Sequence, residues 1–205
     1  MSSNSLHGRF VQLLIRLRVA EPVFTVFLHA LRSFHLYEPR IVAVLTNIHG
    51  RLFVDIGSNS GYYSRLLRHN FLHIVRFDPN PRYHAVHIAL SDHEGEENFY
   101  LNTGAGSGDS LLPRFRYGND DYYGRKMIRV PTMRFDQLFN TADLVKIDVE
   151  GAEFQVLDGM TGSTVRRVLV ELHDPRRRDE LVGKLEKMGY LVGQVDSHHY
   201  LGTLY

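Results

Sequence analysis

The sequence predicts an α/β fold with a mostly parallel central sheet, and three observations lead there. From Gly50 onward, apolar runs of strand length alternate with stretches of helical spacing. Three successive runs end in an acid: "LFVDIGSNSG" at Asp55, "RFDPNP" at Asp78 and "ALSD" at Asp92. Apolar residues make up 43% of the 205, enough to bury a sizeable core in one domain.

The elements follow in order. Residues 1 to 8 are polar. Apolar residues then recur at helical spacing from Phe10 to about Leu36, with Pro22 dividing two helices, and a third short helix is expected over Pro39–Asn47. This region reads as a helical cap, residues 1–49, on a domain of residues 50–205. Interfacial membrane binding and a homo-oligomer contact are its sharper alternatives. Arg51–Gly57 reads as a buried strand and Gly61–His69 as a helix, with His73–Asp78 and Val86–Ser91 as further strands. Between residues 94 and 142 the rhythm breaks. Glu97–Leu101 and Ile128–Arg134 read as strands, "NTGAGSGDS" as a loop and "RFRYGNDDYYGRK" as a polar, tyrosine-rich excursion. Alternation resumes with Leu144–Val149, Glu153–Met160, Val165–His173 and Pro175–Met188, and two strands, Tyr190–Val195 and Tyr200–Leu204, end the chain. No internal repeat is present, and the pattern is that of a layered α/β domain.

Composition narrows the function. A formal net charge of +1 gives no basic field for nucleic acid or an anionic membrane. Cysteine is absent, which removes disulfides, thiolate metal sites and a cysteine nucleophile. No apolar run approaches the roughly 20 residues of a spanning helix, and the N-terminus lacks the order of a signal peptide. A soluble, cytoplasmic protein is expected.

In an open parallel sheet, ligands sit beyond the carboxyl ends of the strands. There Asp55, Gly57 and Gly61 surround a tight turn whose glycines permit close backbone approach, and the helix that follows offers free N–H groups. Asp78 is placed to accept the hydroxyls of a ribose, and Asp92 a hydrogen bond from an adenine amino group. Neither the phosphate-loop spacing nor the pyrophosphate-binding G-x-G-x-x-G spacing is present. Each acid alone also suits an ordinary turn.

"FVDIGSNSGYYS", "FDPNP", "IALSD" and above all "LVKIDVEGAEFQVLDGM" with "VLVELH" resemble the FkbM family of S-adenosylmethionine-dependent methyltransferases, from about Arg51 to His173. The resemblance implies a Rossmann-like class I methyltransferase fold and O-methylation of a sugar, glycan or secondary-metabolite hydroxyl. It implies Asp55, Gly57, Ser58, Asn59, Gly61 and Tyr62 around the amino-acid part of S-adenosylmethionine, with Asp148 also facing the cofactor. Asp78 and Pro79 would meet the ribose, and Ser91 and Asp92 the adenine. Two departures stand out. "NPRYHA" joins Asp78 to Val86 with too few residues for the family's helix between its second and third strands. Asp78 also stands where the family more often has Glu.

For the chemistry, strand alternation would put Asp148 and Glu150 on one face, and Glu171 and His173 on one face of the next strand. His173 is then the expected base, Asp148 orients the acceptor or the cofactor ammonium, and Glu171 tunes His173. Asp148, Glu171 and His173 also suit Mg²⁺ or Mn²⁺, although the expectation is that no metal is needed. The bland reading makes Glu150 and Glu153 helix-start acids and Asp174 a cap. Glu150, Ser110, Tyr122 and Tyr123 are expected to meet a small-molecule or glycan acceptor, with Gly104–Ser110 as a lid. A catalytically silent cofactor-binding scaffold and a protein methyltransferase remain the alternatives.

Overall fold

A computed structural model gives the architecture and describes residues 38–101, 108–117, 120–123 and 126–204. The two helices expected between Phe10 and Leu36 lie outside the described residues, and so do most of the cap and its oligomer contact. In chain order come α1 (Pro39–Leu45), β1 (Gly50–Ile56), α2 (Tyr62–Leu66), β2 (Phe71–Phe77), β3 (Ala89–Ser91) and β4 (Gly95–Leu101). A hairpin of β5 (Arg114–Tyr117) and β6 (Asp120–Tyr123) follows, then β7 (Lys126–Arg134), α3 (Phe135–Leu138), β8 (Thr141–Ala142) and β9 (Leu144–Ile147). The chain ends with α4 (Glu153–Asp158), β10 (Thr164–Val165), β11 (Arg167–Glu171), a 3₁₀ turn at Pro175–Arg177, α5 (Arg178–Lys187), β12 (Tyr190–Gln194) and β13 (His199–Leu204).

The central sheet has six strands in the order β12-β13-β11-β9-β1-β2. β2, β1, β9 and β11 pair in parallel, and β13 and β12 close the edge antiparallel. Arg40–Tyr205 form one compact unit. The strands read as nearly continuous apolar runs because both faces are covered. Phe53, Leu144 and Leu169 pack on one face with Ile41 and Leu45 of α1 and Leu67 after α2. Val54, Val145, Val168 and Val170 pack on the other with α4 and with Leu181 and Leu185 of α5.

The first of these faces changes character toward its carboxyl edge. Two residues beyond Phe53 comes Asp55, beyond Leu144 comes Lys146, and beyond Leu169 comes Glu171, so alternation carries each polar side chain onto the apolar face one step further on. Asp55 sits opposite Lys146 in the parallel register. The polar end of the sheet is therefore written into the strands themselves.

The short link after Asp78 explains the main departure from expectation. Val86 makes a single parallel bridge to Phe77, donating to Arg76 O at 2.8 Å and accepting from Asp78 N at 3.1 Å. The chain then leaves the sheet. Of the expected strand Val86–Ser91 only Ala89–Ser91 forms, and it pairs in parallel with β7 in a separate three-stranded sheet, β3-β7-β4. Without a crossover helix the third strand cannot stack beside β2. The strand expected to reach Val149 also ends early, at Ile147. Among the described residues no helix is long and apolar enough to cross a membrane.

Candidate active site

At the carboxyl edge of the sheet an open cavity encloses about 600 Å³, part of it bulk solvent. One end is set by the turn after β1. Gly57 and Gly61 take left-handed φ values of 71° and 77°. A Cβ on Gly57 would lie 1.7 Å from Asp148 O, so only glycine lets this turn pass against the end of β9. Asp78, which lines the cavity, fastens the turn: its Oδ2 accepts from Asn59 N–H at 2.7 Å and its Oδ1 from Asn80 N–H at 3.0 Å. Burial pushes the Asp78 carboxyl up to about 6 against those two hydrogen bonds, with Asp109 and Asp148 adding to the rise. Below the turn, Asp55 accepts from Ser64 Oγ at 2.6 Å. Burial raises its pKa, only partly offset by Lys146. Asp55 Oδ1 and Ser58 Oγ are buried with no hydrogen-bond partner among the described residues.

The other end is a network of charged side chains centred on His173, which is 1% exposed. Its Nδ1 lies 2.6 Å from Glu153 Oε1 and its Nε2 2.9 Å from Glu150 Oε2. Asp148 Oδ1 is 3.7 Å from the same Nε2 and Glu171 Oε1 3.9 Å. Burial disfavours the imidazolium, but Glu150 and Glu153 outweigh it and hold the His173 pKa well above its ordinary value. Lys146, 2% exposed, donates to Asp148 Oδ2 at 2.8 Å. Burial would raise the Asp148 carboxyl, yet Lys146 and His173 hold it below the ordinary range. Burial, then Asp148, push Glu171 up to about 7, and its Oε2 lies 3.4 Å from His199 Nε2.

Residues 55–192 match the family described as the methyltransferase FkbM domain. The chain belongs to the FkbM methyltransferase family. This methyltransferase is also similar to two solved structures, each at 14% identity. One is the Mtq2–Trm112 complex of E. cuniculi, which methylates the termination factor eRF1 (TM-score 0.49, 83% of this chain and 94% of that chain). The other is the precorrin-6y C5,15-methyltransferase of Geobacter metallireducens (TM-score 0.43, 80% and 86%). No curated protein sequence matches the chain.

In this FkbM-family methyltransferase the expected residues divide sharply. Gly57, Asn59, Asp78, Pro79, Asp148 and Glu150 line the cavity. Asp55, Ser58, Gly61 and Tyr62 stand behind the turn and do not line it. Ser91 and Asp92 also stay off the wall, although Ala89 and Leu90 of the same β3 segment line it. Asp92 instead accepts from Ser91 Oγ at 3.2 Å and pairs with His93 Nδ1 at 2.7 Å. Ser110 braces the wall from behind, donating to Glu150 O at 2.7 Å, while Gly108, Asp109 and Leu111 line the cavity. Tyr122 and Tyr123 fall on β6, and most of the expected lid, residues 104–107, lies outside the described residues.

Two corrections concern the chemical end. Glu150 joins Asp148 through a left-handed turn at φ 54°, followed by Gly151 at 102°, and not by strand alternation. His173 has both ring nitrogens engaged by carboxylates, Nδ1 by Glu153 and Nε2 by Glu150, where the sequence led to the expectation of a base with a free ring nitrogen. Its shortest contact is to Glu153, which the sequence presents only as a helix-start acid. The signal for it was present: an acid opening a helix whose other residues are apolar enough to bury it, at 2% exposure.

Proposed function

We propose that this methyltransferase uses S-adenosylmethionine and acts on a hydroxyl of a sugar, glycan or secondary metabolite. The observation that carries the reading is an open cavity lined by both Asp78 and the Asp148–Glu150 wall. The residues present fit the cofactor. Each Asp78 oxygen retains a lone pair for a ribose hydroxyl beyond the backbone N–H it already accepts. Ile88, Leu90 and Phe99 give an apolar lining for the adenine, in place of Ser91 and Asp92. S-adenosylmethionine supplies a methyl group already activated for displacement.

The chain's share of the work is therefore alignment, exclusion of water and handling of the hydroxyl proton. Asp148 and Glu150 accept a hydrogen bond from the acceptor hydroxyl and orient its oxygen toward the cavity. As that oxygen gains the methyl, its proton passes to the carboxylate wall and on to solvent. His173, Lys146 and Gly108 hold the wall in place through the contacts on its remaining oxygens. Sugars, whose hydroxyls are poor acids, need such a wall more than phenols do.

The test is turnover of the full chain with S-adenosylmethionine and a panel of mono- and oligosaccharides, reading S-adenosylhomocysteine and the methylated atom. The expected result is an O-methylated product, reduced about 100-fold or more in Asp148→Asn. Cofactor binding without product from any acceptor would favour a silent scaffold. A methyl group found on nitrogen or carbon would overturn the acceptor class.

A further inference from the structure

We propose that Asp148, Glu150 and His173 form a binding site for one hard divalent cation, Mn²⁺ or Mg²⁺, on the cavity wall. One carboxylate oxygen of Asp148, one of Glu150 and a ring nitrogen of His173 lie within 4.8 Å of one another. The Nε2–Oε2 and Nε2–Oδ1 separations are 2.9 and 3.7 Å. Adjacent ligands on an octahedral Mg²⁺ or Mn²⁺ lie about 3 Å apart, so the two separations to the imidazole need to close by less than an ångström. Two carboxylates and an imidazole, in a chain with no cysteine, are donors for a hard or borderline ion.

The outer atoms of the three groups carry the argument further. Each converging atom has a twin held away from the centre by another part of the chain. Lys146 Nζ holds Asp148 Oδ2 at 2.8 Å, Gly108 N–H holds Glu150 Oε1 at 3.0 Å, and Glu153 Oε1 holds His173 Nδ1 at 2.6 Å. This is the outer-shell pattern of a metal site: a carboxylate fixes the histidine tautomer and its ring, and donors fix each carboxylate. As the metal–nitrogen bond forms, the ion takes the place of the proton that His173 Nε2 shares with Glu150, and that proton leaves to solvent. Glu171, expected from the sequence as a ligand in place of Glu150, stands further off and leans on His199.

The site deepens the reading above, because a cation on the wall would polarise an acceptor hydroxyl and lower its pKa. It rests on that reading only for its purpose, since binding needs neither cofactor nor acceptor. The experiment is titration of the full chain with Mn²⁺ alone, followed by electron paramagnetic resonance. One ion per chain is expected, with an imidazole nitrogen coupling in the echo modulation, and the amide signals of Gly108 and Gly151 should broaden first in nuclear magnetic resonance. His173→Asn removes the nitrogen coupling, and Glu153→Gln weakens binding about tenfold. Glu96→Gln, at an exposed pair with Arg129, leaves both unchanged. The proposal is overturned by no bound ion at about millimolar Mn²⁺, by binding without nitrogen coupling, or by broadening centred elsewhere. The broadening needs no variant, so a misfolded His173→Asn leaves the test intact. Mn²⁺ binding in a chain that fails to bind S-adenosylmethionine would defeat the methyl-transfer reading and keep the cation site.

Discussion

After β1 the chain turns through Gly57, Asn59 and Gly61 at φ 71°, 47° and 77°, and after β9 through Glu150 and Gly151 at 54° and 102°. Both turns are left-handed and both border the cavity, but they are held differently. The first is held by main chain: Gly57 and Ser58 N–H donate to Phe77 O at 2.9 and 3.0 Å, and Asp78 caps Asn59 N–H. The second is held by side-chain charge through His173, Glu153 and Lys146. The first turn fails on added bulk and depends on pH only through its one carboxylate cap, Asp78. One built on buried ion pairs tolerates neither loss of a partner nor loss of a proton.

Gly57→Ala should have the largest effect, because its Cβ would collide with Asp148 O and join the two turns in one clash. A loss on the order of 4 kcal/mol is expected in urea unfolding. A loss under about 1 kcal/mol would mean that the turns are not in contact. Glu153→Gln comes next, at about 3 kcal/mol, because it strips a buried imidazolium of its nearest carboxylate. The sign with pH follows from the raised His173 pKa: its contribution is complete below about pH 6.5 and is lost as pH rises through the folded value. The variant's deficit should therefore narrow in alkaline solution, and a deficit independent of pH would contradict the ion-pair account.

Asp78→Asn sharpens the contrast from the other side. The folded Asp78 pKa is raised to about 6, so its contribution is complete below about pH 4 and disappears as pH climbs through 6. That slope, on the order of 3 kcal/mol in total, should be absent from the variant's urea midpoints between pH 4 and 6. An unchanged slope would place the titrating group elsewhere. The smallest effect belongs to Asp92→Ala, an exposed side chain off the cavity wall, with a change within about 0.5 kcal/mol.

These regions also differ in how far the sequence reveals them. The strands of the central sheet were legible because runs buried on both faces are apolar throughout, and the acids that close them mark where the apolar cover stops. Asp55, Asp78 and Asp148 were found in that way. Ser91 and Asp92 were placed at the adenine by analogy of strand order, which the short link from Asp78 to Val86 breaks. Strand alternation pairs Glu150 with Asp148 and Glu171 with His173, but the first strand ends at Ile147 and the second at Glu171. The turn that brings Glu150 to His173 depends on a positive φ at Glu150, which no residue pattern announces. Glu153 was hidden because an acid in a first helical turn is ordinary, and only the buried imidazole across from it gives it a partner.

The most direct test of the account is calorimetric titration of S-adenosylmethionine into the full chain, into Asp78→Asn and into Asp92→Ala. The account predicts one site per chain, affinity weakened about tenfold or more in Asp78→Asn, and affinity within about twofold of wild type in Asp92→Ala. A folded wild-type chain that takes up no S-adenosylmethionine, or equal losses in the two variants, would contradict the placement of the cofactor in this cavity.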